Sequence, residues 1–501
     1  MQRICVPAQK TAAFRLRARR AGHTVCMKIL FENCRIVPEG GTFFCTEGGR
    51  FRPAAPPFAR RIDLGGAFVL PAFPDAHSHL LAYALSLLRA DGGHCRSAED
   101  FVRAAEAFAT GRGLDAGALV TVGNADVLPG GDAFETHSRP LHVQMRSGHA
   151  GAFNAAARAL LGLNTTAALE EGAYLAAARK VPLPEETDVL RAFRRAQRDY
   201  LAHGMTTAQE GLLSREMFPL YEMLLRERAL IADVVAYPAP ADYDEACARF
   251  AGARKFTVGG VKIFLDGSPQ QKTAYLREPY AGGGRGVLEM TEDAVLSACR
   301  FAAARGAQLL AHCNGDGAAA VLLAALARLP RGDRAQIRPV LVHGQILGDD
   351  QLDAAAQLGV IPSFFPAHVL YWGDLHCRNL GEARAERISP ARSALERGIP
   401  FTLHQDTPVC PPDPLEAARC AVLRETAGGK RFPAQAIGVR DALRALTENA
   451  AAQYGDGSKG RIEAGRYADF VVLRGDPFRD LRGTRVAETW LRAKRVFRAA
   501  E

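Results

Sequence analysis

The feature that most constrains the fold of this chain is a series of eight short apolar segments between residues 70 and 406. Each has the length and composition of a buried strand and is followed by an Ala-, Leu- and Arg-rich stretch with room for a helix. The segments are 70–77, 204–209, 231–237, 259–266, 307–313, 338–344, 359–365 and 399–406. Eight successive β–α units predict an α/β fold, a (β/α)₈ barrel of the TIM type, with functional residues at the carboxyl ends of the strands.

The first gap in this series is too long for one β–α unit. It contains two further strand-like segments, ALVTVGNADVL and PLHVQMRSGHA, which predict an inserted subdomain over about residues 92–200. Segments 27–70 and 447–501 are rich in short strand patterns and turns. We expect them to form a small composite β-sandwich beside a barrel domain over 71–446.

The formal net charge of +9 would favour a nucleic-acid or anionic membrane partner if it were spread over the fold. Residues 1–26, however, contain six basic residues and no acidic one, which leaves +3 for the other 475 residues. No nucleic-acid partner is therefore expected. No membrane span is expected either, since no segment approaches roughly 18 uncharged apolar residues.

The N-terminal segment 1–26 is predicted to be a disordered or non-native extension, because Met27 begins a strand-like stretch. A targeting segment and a genuine N-terminal arm are the alternatives. The eleven cysteines are scattered and form no CxxC pair. This usage favours reduced thiols in a cytoplasmic protein over disulfides or a cysteine zinc site.

Five of the eight predicted strands end in residue types that bind metals. The first leads into Asp75-Ala76-His77-Ser78-His79, in which residues two apart in a strand point to the same side. The other four carry Lys262 and Asp266, His312, His343, and His404 and Asp406. Taken singly, a histidine can be a satisfied core residue and Lys262 can pair with Asp266. Together at one end of a barrel, imidazoles and carboxylates predict a site for Zn, Mn or Fe.

These residues and the segments around them resemble a known family. The segments VLPAFPDAHSHL, VKIFLDGSPQQKTAYLREPY, AHCNGDGA, LVHGQ and LHQDTPVCPPDPL are similar to those of the amidohydrolase superfamily. Within it they resemble the amidohydrolase-3 branch, which includes N-substituted formamide deformylases and YtcJ-like proteins. The resemblance runs from about Met27 to about Arg498, and it implies both the barrel and the composite sandwich.

The resemblance also implies a set of metal ligands. His77, His79 and Asp406 would hold one divalent ion, His312 and His343 a second, and a Lys262 carboxylated by CO₂ would bridge them. One or two ions are expected, with Zn ahead of Mn or Fe. Such ions lower the pKa of bound water toward about 7 and polarise a carbonyl group. The resulting hydroxide would be the nucleophile, and Asp406 would act as general acid and base.

The activity implied is hydrolysis of a C–N bond in a small-molecule amide, N-substituted formamide or cyclic amide. A deaminase or a C–O hydrolase would use the same site, and a non-catalytic binding protein that retained the fold is a further alternative. Loss of ligands would favour that last alternative, and none is lost here. The resemblance to this family also leads us to expect a homodimer.

Six further residues are weaker candidates for contact with substrate or support of the ligands: Arg146, His149, Gln270, Asp316, Trp372 and His404. Asp316 would either orient His312 or cap a helix. His404 would either support the site or pack in the core. Arg146 and His149 would reach over the barrel mouth, where a loop-tethering hydrogen bond is the alternative for His149. Gln270 would line the pocket, and Trp372 would form an aromatic wall or simply pack.

Overall fold

The structure of the protein is a computed structural model. It describes residues 27–38, 40–145, 150–182 and 184–500. The segment 1–26 and the predicted site residues Arg146 and His149 lie outside the described residues. Within the described ranges, no helix is both long and apolar enough to cross a membrane, and the cysteines are free thiols.

Four strands begin the described chain: β1 (Ile29–Ile36), β2 (Phe43–Glu47), β3 (Arg50–Arg52) and β4 (Arg60–Pro71). β1 pairs antiparallel with β2 and parallel with β4, and β3 extends the sheet on the far side of β2. Phe31, Phe44 and Phe51 on these strands are buried, so one face of the sheet is aromatic.

The next part of the chain contains the first parallel strand and the predicted insertion. Its elements are β5 (Phe73–Pro74), α1 (Leu80–Ser86), β6 (Ala90–Asp91), α2 (Ala98–Arg112), β7 (Val120–Ala125), α3 (Asp132–Glu135), β8 (Leu141–Met145), β9 (Ala150–Phe153), α4 (Ala155–Leu161), β10 (Ala168–Glu170) and α5 (Glu171–Ala178). The two predicted strands of the insertion are β7 and β8, in a five-stranded sheet of order β10-β9-β8-β7-β6. Phe101 of α2 packs with Val122 and Val143 in a hydrophobic cluster of its own.

The central part alternates strands and helices as the sequence predicts. Its elements are α6 (Glu186–Ala202), β11 (Met205–Glu210), α7 (Phe218–Arg226), β12 (Asp233–Ala236), α8 (Tyr243–Arg249), β13 (Phe256–Val258), β14 (Gly260–Phe264), α9 (Glu292–Arg305), β15 (Gln308–Cys313), α10 (Asp316–Ala327), α11 (Arg331–Ile337), β16 (Val340–His343), α12 (Asp349–Leu358), β17 (Ile361–Phe364), α13 (Ala367–Leu380), α14 (Glu382–Glu386), α15 (Ala391–Glu396), β18 (Thr402–Leu403), α16 (Pro414–Leu423), α17 (Val439–Leu446) and α18 (Glu448–Gln453). Each of the eight predicted segments contains strand residues. The fourth segment, 259–266, contains β14, and the short strand β13 lies just before it.

The parallel strands form two sheets of orders β13-β12-β11-β5 and β14-β15-β16-β17-β18. The prediction of an α/β fold is therefore confirmed. Backbone hydrogen bonds from His79 N to Thr407 O (2.8 Å) and from Asp406 N to His77 O (3.3 Å) join the segments that follow β5 and β18. The carboxyl ends of the first and last parallel strands are thus neighbours, while full closure of the barrel stays a prediction.

Three strands end the fold: β19 (Phe470–Arg474), β20 (Arg485–Leu491) and β21 (Lys494–Arg498). They complete a seven-stranded sheet of order β21-β20-β19-β4-β1-β2-β3. The rings of Phe44 on β2 and Phe470 on β19 lie 4.9 Å apart, although three strand spacings would separate these strands by about 14 Å in a flat sheet. The sheet is therefore strongly curled. A separate facing sheet is not seen in the described part of the chain, so the sandwich stays a prediction.

Candidate metal centre

Three predicted ligands meet where the first and last parallel strands end. The Nε2 atoms of His77 and His79 lie 3.6 and 3.5 Å from Oδ1 of Asp406. Two ligands about 2.1 Å from a tetrahedral metal ion are about 3.4 Å apart, so these separations suit ligands that share one ion. Oδ1 of Asp406 is buried and accepts no hydrogen bond from any described residue. A bound cation would satisfy this oxygen, and the residues present therefore fit a metal.

The backbone at the site is strained at two positions that hold predicted ligands. His343 has a φ of 78° and Asp406 a φ of 55°, in the left-handed region that non-glycine residues rarely adopt. Each such residue costs on the order of 1–3 kcal/mol and persists only where its surroundings hold it in place. The strain therefore coincides with side chains that the sequence singles out as ligands.

The remaining histidines form a chain of ring contacts beside these ligands. Nε2 of His343 lies 3.1 Å from Nδ1 of His312 and 4.0 Å from Oδ2 of Asp406. Nδ1 of His343 lies 3.1 Å from Nε2 of His404, whose Nδ1 contacts Ser363 Oγ at 2.9 Å. Burial lowers the pKa of His312 to about 4 and that of His404 to about 3. Both rings are thus neutral at pH 7, which is the form that binds metals.

Lys262 lies at the same site, on β14. Its side chain is buried, and Nζ is 3.1 Å from Nε2 of His77. Burial lowers the pKa of Lys262 to about 7. The alternative pairing with Asp266 is not found. Asp266 instead accepts hydrogen bonds from the backbone N–H groups of Asn314 (2.9 Å) and Gly315 (2.7 Å), which fixes the loop after β15.

Gln209, at the end of β11, orients His77 and was not singled out by the sequence. Its Oε1 lies 2.5 Å from Nδ1 of His77, and its Nε2 donates to the Tyr454 hydroxyl at 3.0 Å. A hydrogen bond at Nδ1 directs Nε2 of the same ring toward the site. The next-but-one residue is Gly211, where a Cβ atom would lie 2.5 Å from Cε1 of His77. The His77 ring therefore requires a glycine there.

Glu210 is a second residue that the sequence analysis missed. Its side chain is fully buried, and Oε1 lies 3.9 Å from Nδ1 of His79. Oε2 accepts hydrogen bonds from the backbone of Leu81 (2.9 Å) and from the Tyr221 hydroxyl (2.6 Å). Burial raises the pKa of Glu210. The local sequence gives only a weak signal, two polar residues at the end of β11, because their contacts with His77 and His79 depend on β11 lying beside β5.

Asp316 does not reach His312. Asp316 is the first residue of α10, and its Oδ1 accepts a hydrogen bond from the backbone N–H of Arg277 (3.0 Å). The ring of His312 instead faces the Gly267 carbonyl oxygen at 3.1 Å through Nε2. The proposed orienting role of Asp316 is therefore corrected, and its position at the start of a helix accounts for the residue.

Trp372 lies one ring away from the metal residues, on α13. Its ring centroid is 4.8 Å from that of His368 and 6.3 Å from that of Phe365. Phe365 stacks on His404 at 5.2 Å. The aromatic wall beside the histidines is thus Phe365, which the sequence analysis missed, and Trp372 packs behind it.

Gln270 follows β14 in a loop that Asn379 holds by a hydrogen bond from Nδ2 to the Gln270 backbone oxygen (3.4 Å). Its Oε1 is buried and has no hydrogen-bond partner among the described residues. In the described part of the chain, Gln270 makes no hydrogen bond to a metal residue. Its predicted role in the pocket stays a prediction.

A parallel β–α fold that gathers histidines and a carboxylate at its strand ends defines the class of metal-dependent hydrolases. The model of the amidohydrolase family matches residues 60–497. The chain therefore belongs to the amidohydrolase family, and it is a hydrolase.

Known proteins similar to this chain agree with that assignment. The putative amidohydrolase YtcJ of Bacillus subtilis is 26% identical over 465 residues, which cover 84% of this chain and 87% of YtcJ. N-substituted formamide deformylase of Arthrobacter pascens is 34% identical over 175 residues, 34% of this chain and 32% of that protein. An uncharacterised metal-dependent hydrolase of Pyrococcus horikoshii has a similar fold, with a TM-score of 0.78 and 22% identity over 91% of this chain and 99% of its own.

Proposed function

We propose that the protein hydrolyses a C–N bond in an amide, an N-substituted formamide or a cyclic amide at a centre of one or two divalent metal ions. The ligands would be His77, His79 and Asp406 for one ion, His312 and His343 for the second, and a carboxylated Lys262 between them. The observation that carries the proposal is the buried Oδ1 of Asp406, which lies 3.5–3.6 Å from two imidazole nitrogens and has no hydrogen-bond partner among the described residues.

Zinc suits this donor set best, since imidazole nitrogen and carboxylate oxygen are its usual ligands at hydrolytic sites. When bound, such an ion lowers the pKa of water and polarises a carbonyl group. Gln209 and Glu210 would hold the rings of His77 and His79 so that their Nε2 atoms face the ion. Phe365 and the buried strand ends would keep bulk water away from the site.

Asp406 would take a proton from the attacking water and deliver it to the leaving nitrogen. Its position supports this role, because Oδ1 lies toward His77 and His79 while Oδ2 lies 4.0 Å from Nε2 of His343. The carboxylate thus stands between the two proposed groups of ligands. A carboxylate there is close to the site of attack whichever ligand group binds the substrate oxygen.

Lys262 would act as a carbamate. An ammonium group buried without a carboxylate partner is costly, and Lys262 forms no salt bridge with any described residue. A carbamate would turn this cation into an anionic ligand that offsets the charge of two divalent ions. The 3.1 Å contact between Lys262 Nζ and His77 Nε2 supports its presence at the site.

We also propose that the two parallel sheets close into one (β/α)₈ barrel over residues 71–446, with an insertion over about 92–200. The hydrogen bonds between the segments after β5 and β18 support closure, and the separate cluster around Phe101 supports the insertion. The curled seven-stranded sheet would be the composite sandwich of 27–70 and 447–501.

The test combines metal analysis with a substrate panel of N-formyl, N-acyl and cyclic amides. We expect one to two equivalents of Zn, Mn or Fe in the purified protein. His77→Ala and Asp406→Asn should lose at least about a thousandfold in kcat/KM while remaining folded by circular dichroism. His94→Ala, at an exposed position outside the site, is the matched control. Absence of metal, or a near-wild-type rate in either site variant, would contradict the proposal.

A further inference from the structure

Two adjoining cavities lie on the opposite side of the parallel strands from the metal residues. The basal cavity, about 480 Å³, is lined by residues of β12 and β13 and by Arg338, Lys459 and Arg492. The side cavity, about 680 Å³, is lined by Leu225, Arg228, Leu230, Ala253, Arg254 and Lys255. Lys255 lines both. Strand β16 shows this placement for the basal cavity. Arg338, which lines the cavity, precedes the strand, and His343, at the metal centre, is its last residue.

The cavities carry an excess of positive charge. Six basic side chains line them, namely Arg228, Arg254, Lys255, Arg338, Lys459 and Arg492, against two acidic ones, Asp233 and Asp456. Lys459 and Arg492 both bind Asp233, at 2.6 Å each. The other four basic residues form no salt bridge with any residue in the described ranges. Arg228 and Arg254 are exposed, and Lys255 and Arg338 are partly buried. Cations that line a concave surface without a paired carboxylate among the described residues make it attractive to anions.

Two guanidinium groups at the basal cavity have unused donors. Nε of Arg338 and Nη1 of Arg492 are buried and have no hydrogen-bond partner among the described residues. The guanidinium of Arg338 packs so closely on Gly455 that a Cβ atom there would lie 3.2 Å from its Cζ. Buried donors without acceptors are costly. An anion with several oxygens would satisfy donors of this kind, since guanidinium groups match phosphate oxygens.

We propose that the basal and side cavities bind the phosphate group of a small-molecule ligand. Phosphate would supply a negative counter-charge to these cations. It also has enough oxygens to accept hydrogen bonds from both Arg338 and Arg492. The apolar side chains of Leu225 and Leu230 in the side cavity provide a surface for an organic part of such a ligand. The two cavities are local concave pockets, whereas a nucleic-acid strand needs an extended basic groove, so a small molecule is the better fit.

The test is isothermal titration calorimetry of the full-length purified protein with inorganic phosphate and with phenylphosphonate at low ionic strength. Arg338→Gln and the double variant Arg254→Gln/Lys255→Gln should each weaken binding at least about tenfold. The matched control is Arg103→Gln/Arg392→Gln, which removes two exposed arginines that line neither cavity. Asp406→Asn separates this site from the metal centre, where phosphate could also bind, and should leave the affinity within twofold.

Tighter binding of phenylphosphonate would identify an organic phosphate as the ligand, and equal affinities would identify free phosphate. The proposal is overturned if neither probe binds at millimolar concentration. It is equally overturned if binding is lost in Asp406→Asn but kept in the cavity variants. The same holds if Arg103→Gln/Arg392→Gln weakens phosphate binding as much as the cavity variants do. Thermal midpoints check folding. If Arg338→Gln fails to fold, the double variant decides alone, because its residues form no salt bridge with any described residue.

Discussion

At the scale of single residues, the centre depends on contacts that hold the His77 ring. Gln209 binds its Nδ1 atom, Lys262 lies 3.1 Å from its Nε2 atom, and the backbone of Gly211 lies against its edge. The ring has little freedom to move, since it is buried. A change that adds volume beside it must therefore move the proposed ligand itself.

We predict that Gly211→Ala lowers metal content and reduces kcat/KM at least about tenfold. The new methyl group would lie 2.5 Å from His77 Cε1, and relief of such an overlap in a packed site costs about 1–3 kcal/mol. Metal analysis and steady-state kinetics on the same preparation measure both effects. The control is Gly111→Ala in α2, where nothing lies within 4 Å of the added atom. Equal metal content and activity in both variants would show that the ring is not confined in this way.

Glu210 leads to a second prediction at this scale. Its carboxylate would accept the Nδ1–H of His79 and make that ring a stronger ligand, so Glu210→Gln should weaken metal affinity by about 10–100-fold. Competition with a chelator measures the affinity. Glu216→Gln, the same change at an exposed position, should leave it unchanged. An affinity within twofold of wild type in Glu210→Gln would leave Glu210 with a packing role alone.

At the scale of elements, β8 of the insertion sheet carries a buried ionisable residue, His142. Its ring stacks on Phe153 with 4.4 Å between centroids, and its nitrogens contact Thr121 Oγ1 (3.2 Å) and the Tyr174 hydroxyl (3.1 Å). Burial lowers the pKa of His142 to about 3. The folded insertion therefore contains a neutral imidazole over most of the accessible pH range.

We predict that this residue makes the protein less stable in acid. Between the unfolded pKa near 6.5 and the folded pKa of about 3, the unfolded state binds more protons, so the free energy of unfolding falls as the pH falls. From pH 7 to pH 5 one such group contributes a loss of about 2 kcal/mol. His142→Gln should remove this contribution to the loss of unfolding free energy, as measured by urea unfolding at pH 7 and at pH 5. His94→Gln, at an exposed position, should keep it, and equal losses in all three proteins would contradict the prediction.

The elements also show where sequence reasoning succeeds and where it fails. β7 (VTVGNA) contains two valines and a threonine, β8 (LHVQM) contains a leucine and a valine, and both were predicted. β9, with the sequence AGAF, lacks the β-branched residues that signal a strand. The histidines and carboxylates at strand ends were predicted because each directly follows an apolar segment of the sequence, and their role as ligands stays a prediction. Gln209 and Glu210 were missed because their role depends on β11 lying beside β5, a tertiary pairing that one sequence does not contain.

At the scale of the whole molecule, the terminal sheet ties the two ends of the chain to each other and to the central β–α units. β19 pairs with β4 across about four hundred residues of chain, and the Thr489 hydroxyl donates to the Leu201 backbone oxygen at 2.6 Å. The pairing explains why short strand patterns occur at both ends of the sequence. Neither end can bury its aromatic face alone.

We therefore predict that a chain ending at residue 464 does not form a folded monomer. The truncation removes β19, β20 and β21, and with them Phe470 and Trp490, whose rings contact Phe31. Loss of one large aromatic side chain from a core typically costs about 3–5 kcal/mol, so loss of both is comparable with the total stability of about 5–15 kcal/mol of a typical domain. Circular dichroism and size-exclusion chromatography measure the outcome. A chain ending at 498, after the last residue of β21, is the control and should behave as the full-length protein. A monomeric 464-residue chain with a wild-type thermal midpoint would show that the central units fold without the terminal sheet.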